Sequence, residues 1–304
     1  MPLPIARWTL AASCALVLCS AAPGPRPATA SPRLAFEGQA EIFAPGVVST
    51  PRSEIRIAFS PDGHRALWGT IGWTGGPGGW DIWESLLRDG KWATPRPVSF
   101  NSAANDFDPA FAPDGRGVYF FSNRPGGLGG DDIWFVPFDP APSRYGTPVN
   151  LGPGVNTPKN EWAPTPFDKG RRLLFASDGR GGAGGEDLFV AVRTRRGWAR
   201  TAPVPGAVNS AIGDFDACFL HDGHTLVLTR SKSDDDGAYL FVSFLGRGGY
   251  SEPVRLGPVI NAPDSFNLGP AINPAEPGVL YFTSHHEGNS QGRTDIYRIR
   301  YRIE

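Results

Sequence analysis

The sequence predicts an all-β protein, a five-bladed β-propeller with four strands per blade. Three observations carry that prediction. A repeat recurs with a period near 50 residues, each repeat holds four strand-like stretches, and the strand missing from the last repeat is supplied by the first residues after the leader. The composition agrees, since 39 glycines, 31 prolines and 12% aromatics beside 19% charged residues describe many short strands joined by tight turns.

The first element of the repeat reads FDPAFAPDG at 107–115. It recurs as IRIAFSPDG at 55–63, WAPTPFDKG at 162–170 and FDACFLHDG at 215–223, with a degenerate copy, LGPAINPAEPG, at 268–278. The turn acids Asp62, Asp114, Asp168 and Asp222 follow one another at 52, 54 and 54 residues. Proline with a fixed φ, a local side-chain acceptor and a glycine tolerant of positive φ make these turns. Successive strand residues face opposite ways. One position is small in most blades (Ala58, Ala110, Thr165, Cys218, Ala271) and the next mostly large (Phe59, Phe111, Pro166, Phe219, Ile272), so neighbouring blades can mesh. Cys218 is thereby read as a buried member of a small-residue column.

An apolar strand, a polar or Gly-rich loop and a strand opening on Asp-Ile-Trp or a relative come next. The copies start at Asp81, Asp132, Asp187, Tyr239 and Asp295, and the acids read as caps on local backbone N–H groups. Asn101, Asn156, Asn209 and Asn261 in the loops between blades read the same way. A W-x-x-P-x-x-V-like stretch, as at Trp92–Val98 and Trp198–Val204, gives the fourth strand. We label the four strands a, b, c and d. Strands a, b and c occur five times, but no strand d follows Tyr297. The stretch 40–54 resembles a strand d and its loop, so a strand near Glu41–Val48 is expected to pair beside Asp295–Ile299 and close the ring, removing the exposed edges of an open sheet.

Ser60–Gly63 (SPDG), Ala112–Gly115 (APDG) and Ser122–Trp134 (SNRPGGLGGDDIW) resemble the Pro-Asp subclass of WD40-like repeats, known from the propeller of TolB and from other exported bacterial proteins; Ser177–Phe189 is similar. The resemblance spans essentially all of the chain after the leader. It implies a propeller fold. Two departures matter: TolB has a further N-terminal domain and six blades, so a role in an envelope complex is not implied.

Residues 1–30 read as a signal peptide, with an apolar stretch from Trp8 to Ala22 and an A-x-A site at Ala28–Ala30, leaving 31–304 as one propeller domain. A lipid anchor on Cys19 is the alternative, although Leu18 is bulky for such a site. The expected location is the periplasm or the exterior. Without Arg7 and Arg26 the chain keeps 27 basic and 30 acidic side chains, a net charge of −3, which lacks the basic excess of nucleic-acid binding. No later apolar run is long enough to cross a membrane. One cysteine beyond the leader excludes an internal disulfide and a cysteine metal site. The run Asp234–Asp236 lacks the first acid of a calcium loop, and no cofactor or metal is expected.

The candidate site is the loop-rich face around the channel mouth, where the d-to-a and b-to-c loops meet. Strand a begins with Glu54, Asp106, Glu161 and Asp214, with Asn267 in the fifth blade, so the fold would arrange four carboxylates in a ring. Such a ring is protonated, hydrated or paired with a cation; Arg56, Arg124 and Arg180 are the pairing candidates. The plain reading is an inter-blade hydrogen-bond and ion-pair network, and the sharper one a site for a cation or a basic peptide tail. Asp108 and Asp216 interrupt the repeat and call for a separate account. Variable b-to-c loops add Trp73 and Trp80 in blade 1 and His285 and His286 in blade 5. Two functions are weighed. The first is a monomeric, non-catalytic module binding a protein, peptide or glycan of the cell envelope. The second is a glycoside hydrolase of the arabinanase-like five-bladed type, using Asp108 and Asp216 with an acid of the ring.

Overall fold

The computed structural model describes residues 32–304 apart from 73, 142, 232–236, 264 and 265. The expected leader, Cys19, Trp73 and Asp234–Asp236 lie outside the described residues. The chain forms a five-bladed β-propeller, and no α-helix occurs among the described residues. Strands a, b and c of the blades are Ser53–Phe59, Arg65–Ile71 and Trp80–Arg88; Asp106–Phe111, Gly117–Ser122 and Asp132–Asp139; Glu161–Phe167, Arg172–Ser177 and Asp187–Thr194; Asp214–Phe219, Leu226–Ser231 and Ala238–Ser243; and Leu268–Ile272, Val279–Ser284 and Asp295–Ile303. Strand d varies more: two short pieces in blade 1 (Lys91–Trp92 and Arg96–Pro97) and in blade 2 (Arg144–Tyr145 and Val149–Asn150), Val254–Arg255 in blade 4, Gly197–Pro203 in blade 3 and Leu34–Ile42 in blade 5. Strand a of each blade touches strand a of the next, and blade 5 returns to blade 1, so the five line a central channel.

Closure is as expected in kind but not in register. The strand beside Asp295–Ile303 is Leu34–Ile42, antiparallel, with Phe36 opposite Tyr301 and Ile42 opposite Tyr297. Only Glu41 and Ile42 of the expected stretch belong to this ladder. Phe43 donates one further bond to Ile296 O at 2.8 Å before Ala44, at φ 46°, turns the chain into Pro45. Proline has no N–H for a ladder, which ends the strand there. Leu34, Phe36, Ala40 and Ile42 instead pack on the core between blades 4 and 5.

Five apolar clusters fill the five blade interfaces. The large residue of strand a faces the preceding blade: Phe59 lies 4.7 Å from Tyr281, and Phe219 4.6 Å from Phe167, between ring centroids. The small residue faces the following blade, where Cys218 packs with Leu280 and Ile299, and Ala271 with Phe59. The thiol therefore fills a column position.

The loop asparagines are a repeated clamp. Asn101, Asn156, Asn209 and Asn261 each accept the N–H of the second residue of the Asp-Ile-Trp-like stretch of strand c (Ile82, Ile133, Leu188, Leu240) at 2.7–3.1 Å and donate to its carbonyl. Ser49 does the same to Ile296 in the closing blade. One side chain thus ties each d-to-a loop to strand c and positions the start of the next strand a.

Candidate functional site

The predicted ring of acids exists as a ring but is wholly buried. Glu54, Asp106, Glu161 and Asp214 are each 0% exposed. Each accepts the backbone N–H and hydroxyl of a Ser or Thr four residues earlier. Thr50 donates to Glu54 at 3.1 and 2.5 Å, Ser102 to Asp106 at 2.5 and 2.8 Å, Thr157 to Glu161 at 2.8 and 2.7 Å, and Ser210 to Asp214 at 2.6 and 2.7 Å. In blade 5, which has Ala262 in place of the hydroxyl, Asn267 donates to the carbonyls of Ala238 and Ala262. The acid and its hydroxyl thus fold the loop back on itself, and where one is lost the other changes. Burial pushes Glu54 up to about 8 against the opposing Thr50 bonds, and burial also raises Glu161 and Asp214.

The arginines of this face serve the same loops. Arg124 donates to Asp106 at 2.5 Å and to Phe100 O at 3.0 Å, and Arg180 donates to Val155 O at 2.5 Å. Arg230, which the sequence reading did not single out because it lies inside strand b, pairs with Asp214 at 2.6 Å and donates to Val208 O at 2.8 Å. All three reach the carbonyl just before the clamp asparagine. Asp132, Asp187 and Asp295 cap their b-to-c loops: Asp295 accepts from Gln291 N at 2.8 Å, Asp187 from Gly184 N at 3.2 Å, and Asp132 from Leu128 N.

Arg56, Asp108 and Asp216 are brought together. Each stands two residues after the ring acid of its blade, where every strand a has a bulge in the register with Leu226–Ser231 or its counterpart. The five residues there have left-handed backbone: Arg56 at φ 49°, Asp108 at 50°, Ala163 at 53°, Asp216 at 38° and Gly269 at 60°. Four are not glycine, so the bulge holds them in a conformation L-residues avoid. A Cβ on Gly269 would lie 3.1 Å from Arg56 Cα, so the ring is also tight. The two aspartates sit beside it, and the Ala163 N–H near Asp108 and the Gly269 N–H near Asp216 favour their charged forms against burial.

Arg56 then crosses the channel from blade 1. Its Nη1 donates to Asp216 in blade 4 at 3.2 Å, and its Nη2 to Pro164 O and the Thr165 hydroxyl in blade 3 at 3.1 and 2.9 Å. All three charged side chains are 4–6% exposed. Burial raises both aspartates; the charge of Asp216 adds to the rise at Asp108, and Arg56 opposes it at each. Asp216 holds the ion pair with Arg56, and Asp108 is pushed toward its neutral form.

The b-to-c loops stand above this neck. Trp80 is 37% exposed and lies 5.1 Å from Phe107 between ring centroids. Ile71 at 37%, Leu128 at 42% and Phe266 at 44% exposure stand at the same end of their blades, none foreseen from sequence: Ile71 ends strand b, and Leu128 and Phe266 are lone apolar residues in polar loops. His286 is half-buried and stacks 4.4 Å from Tyr297; burial and its neighbour His285 lower its pKa. No group of three or more His, Cys, Asp or Glu placed to hold a metal occurs among the described residues.

On the other side of the neck the channel widens into a cavity of about 410 Å³, lined from strand a of all five blades and by the a-to-b turns Pro61, Pro113 and Pro274. Its open end is therefore opposite to the face chosen from the sequence. Cys218 is on its wall, with burial pushing the thiol up to about 12.

No model of a known protein family matches the sequence, and no curated protein does. Solved structures match the fold. An α-L-arabinofuranosidase from Lactobacillus brevis is similar with a TM-score of 0.56 at 12% identity, over 84% of this chain and 91% of that one. A protein described as TolB from Agrobacterium tumefaciens is similar with a TM-score of 0.50 at 12% identity, over 84% and 91%. TolB from Acinetobacter baumannii is matched at 14% identity over 83% of this chain with a TM-score of 0.49, and the chain spans only 56% of its length. These likenesses concern the fold alone, which proteins of unrelated activity share.

Proposed function

We propose that this chain is an exported, monomeric, non-catalytic binding module built from repeats of the Pro-Asp type, which holds a protein, peptide or glycan of the cell envelope on its loop-rich face. Residues 1–30 are its export leader, with lipidation of Cys19 as the alternative, and it acts in the periplasm or outside the cell. One observation carries the reading. On that face every carboxylate of the ring is spent on a loop hydroxyl, an N–H or an arginine, while Ile71, Trp80, Leu128 and Phe266 are left 37–44% exposed. Exposed aromatic and aliphatic side chains in loops held by a rigid scaffold are the anchors of an interface. Trp80→Ala combined with Phe266→Ala is expected to reduce capture of an envelope partner by the immobilised chain at least about tenfold with unchanged thermal unfolding, since anchors of this kind contribute roughly 2 kcal/mol each. Full capture by the double variant would overturn the choice of face.

A second reading, glycoside hydrolysis, is favoured by one feature: two buried carboxyl groups, Asp108 and Asp216, with raised pKa values beside the channel. Against it, both are only 5–6% exposed, and Asp216 is paired with Arg56. Turnover of aryl arabinofuranosides or xylosides that Asp108→Asn or Asp216→Asn abolishes would establish this reading and overturn the first.

A further inference from the structure

The wide end of the channel is closed at its floor by Arg56, which spans to blades 3 and 4, and open at the a-to-b turns. Its walls are apolar: Phe59, Phe111, Phe167, Phe219 and Ile272, interleaved with prolines. At about 410 Å³ it falls within the roughly 300–1,000 Å³ of small-molecule pockets. Three side chains on its surface could offer a polar contact to a guest, and all three are already engaged. Arg56 uses both terminal nitrogens on Asp216, Pro164 O and Thr165. The Thr165 hydroxyl accepts that bond and donates to Ala217 O at 2.7 Å. His221 has one ring nitrogen 2.9 Å from the Tyr301 hydroxyl and the other 3.0 Å from Asn273 O. Cys218 is held as the neutral thiol.

A charged or strongly polar guest would therefore lose its hydration without replacement, whereas an apolar one gives up nothing on entering. We propose that this funnel is a binding site for one compact, uncharged apolar molecule, aromatic or alicyclic, separate from the partner-binding face and independent of it. Its walls are rigid because each large residue of strand a is wedged against the preceding blade.

Two dyes that differ by one group test this. N-phenyl-1-naphthylamine is uncharged and fluoresces in apolar surroundings; 1-anilinonaphthalene-8-sulfonate is the same molecule with a sulfonate. The uncharged dye is expected to bind at about one per chain, and the sulfonate at least about tenfold more weakly. Pro113, exposed at the rim of the cavity, reports the place: in a chain carrying Pro113→Cys with Cys218→Ala, saturating uncharged dye is expected to slow modification of the introduced thiol by N-ethylmaleimide about fivefold or more, read on the peptide that contains it. Absence of dye binding, equal affinity for the sulfonate, or binding that leaves that rate unchanged would each overturn the proposal. None of these outcomes bears on the partner-binding face, whose test uses Trp80 and Phe266.

Discussion

The two ends of the channel are built from the same five strands, yet they handle polarity in opposite ways. At the loop-rich end strand a begins with an acid in four blades, and each acid is turned inward to hold its own loop. At the other end strand a presents Phe, Pro and Ile to an open cavity, and the few polar side chains there are bonded to one another or to main chain. Between them Arg56, Asp108 and Asp216 form a buried neck in which Arg56 is paired with Asp216. The contrast shows that in a repeat protein a charge on every blade marks a loop lock. A charge on one blade, such as Arg56 among Ala163 and Gly269, marks a place where the ring departs from symmetry.

The largest expected effect breaks the neck. Arg56→Ala leaves Asp216 buried without its cation, and removing one partner of such a pair costs about 3–5 kcal/mol. Urea unfolding of the variant checks this; a loss below about 1 kcal/mol would mean that the neck is hydrated and that the funnel is not closed there.

A smaller effect concerns pH. Glu54 titrates near 8 in the fold and near 4.5 without it, so its contribution to stability is full below 4.5 and is lost as pH rises through 8. Asp108 and Asp216, raised by burial, act with the same sign. The thermal midpoint is therefore expected to fall between pH 4.5 and 8, and Glu54→Gln, which imitates the protonated acid, to flatten the fall by the equivalent of a few kcal/mol. An unchanged slope in that variant would place the sensitivity in the neck instead.

The smallest effect separates loop locks from ligand sites. Ser210→Ala removes one hydroxyl from Asp214, which retains the Ser210 N–H and Arg230. A loss of about 1 kcal/mol in chemical denaturation, with partner capture intact, is expected. Loss of capture at unchanged stability would return the acid ring to the binding site.

Much of this was legible in the residues. The Pro-Asp-Gly turns marked the end of strand a, the alternation of Ala and Phe marked its two faces, and the asparagines marked the loops. The spacing of Thr50 to Glu54, Ser102 to Asp106, Thr157 to Glu161 and Ser210 to Asp214 was also there, and it would have assigned the acid ring to local capping. The register of Leu34–Ile42 was missed because its similarity to a strand d begins only near Ala40, after a bulge between Glu37 and Glu41. Arg230 was missed because it lies inside strand b, where only the pairing with strand a sets it opposite Asp214.

By itself the sequence determined the number of blades, the order of their strands and the end at which the ring closes, because a repeat states its local geometry again each time it occurs. Only the tertiary structure decided which side chains meet across the channel, since Arg56 and Asp216 are 160 residues apart and joined only by closure of the ring. It decided also that the repeated acids turn inward and that the open cavity lies at the opposite end. Direction and burial depend on the bulge and on the neighbouring blade, which no single repeat contains.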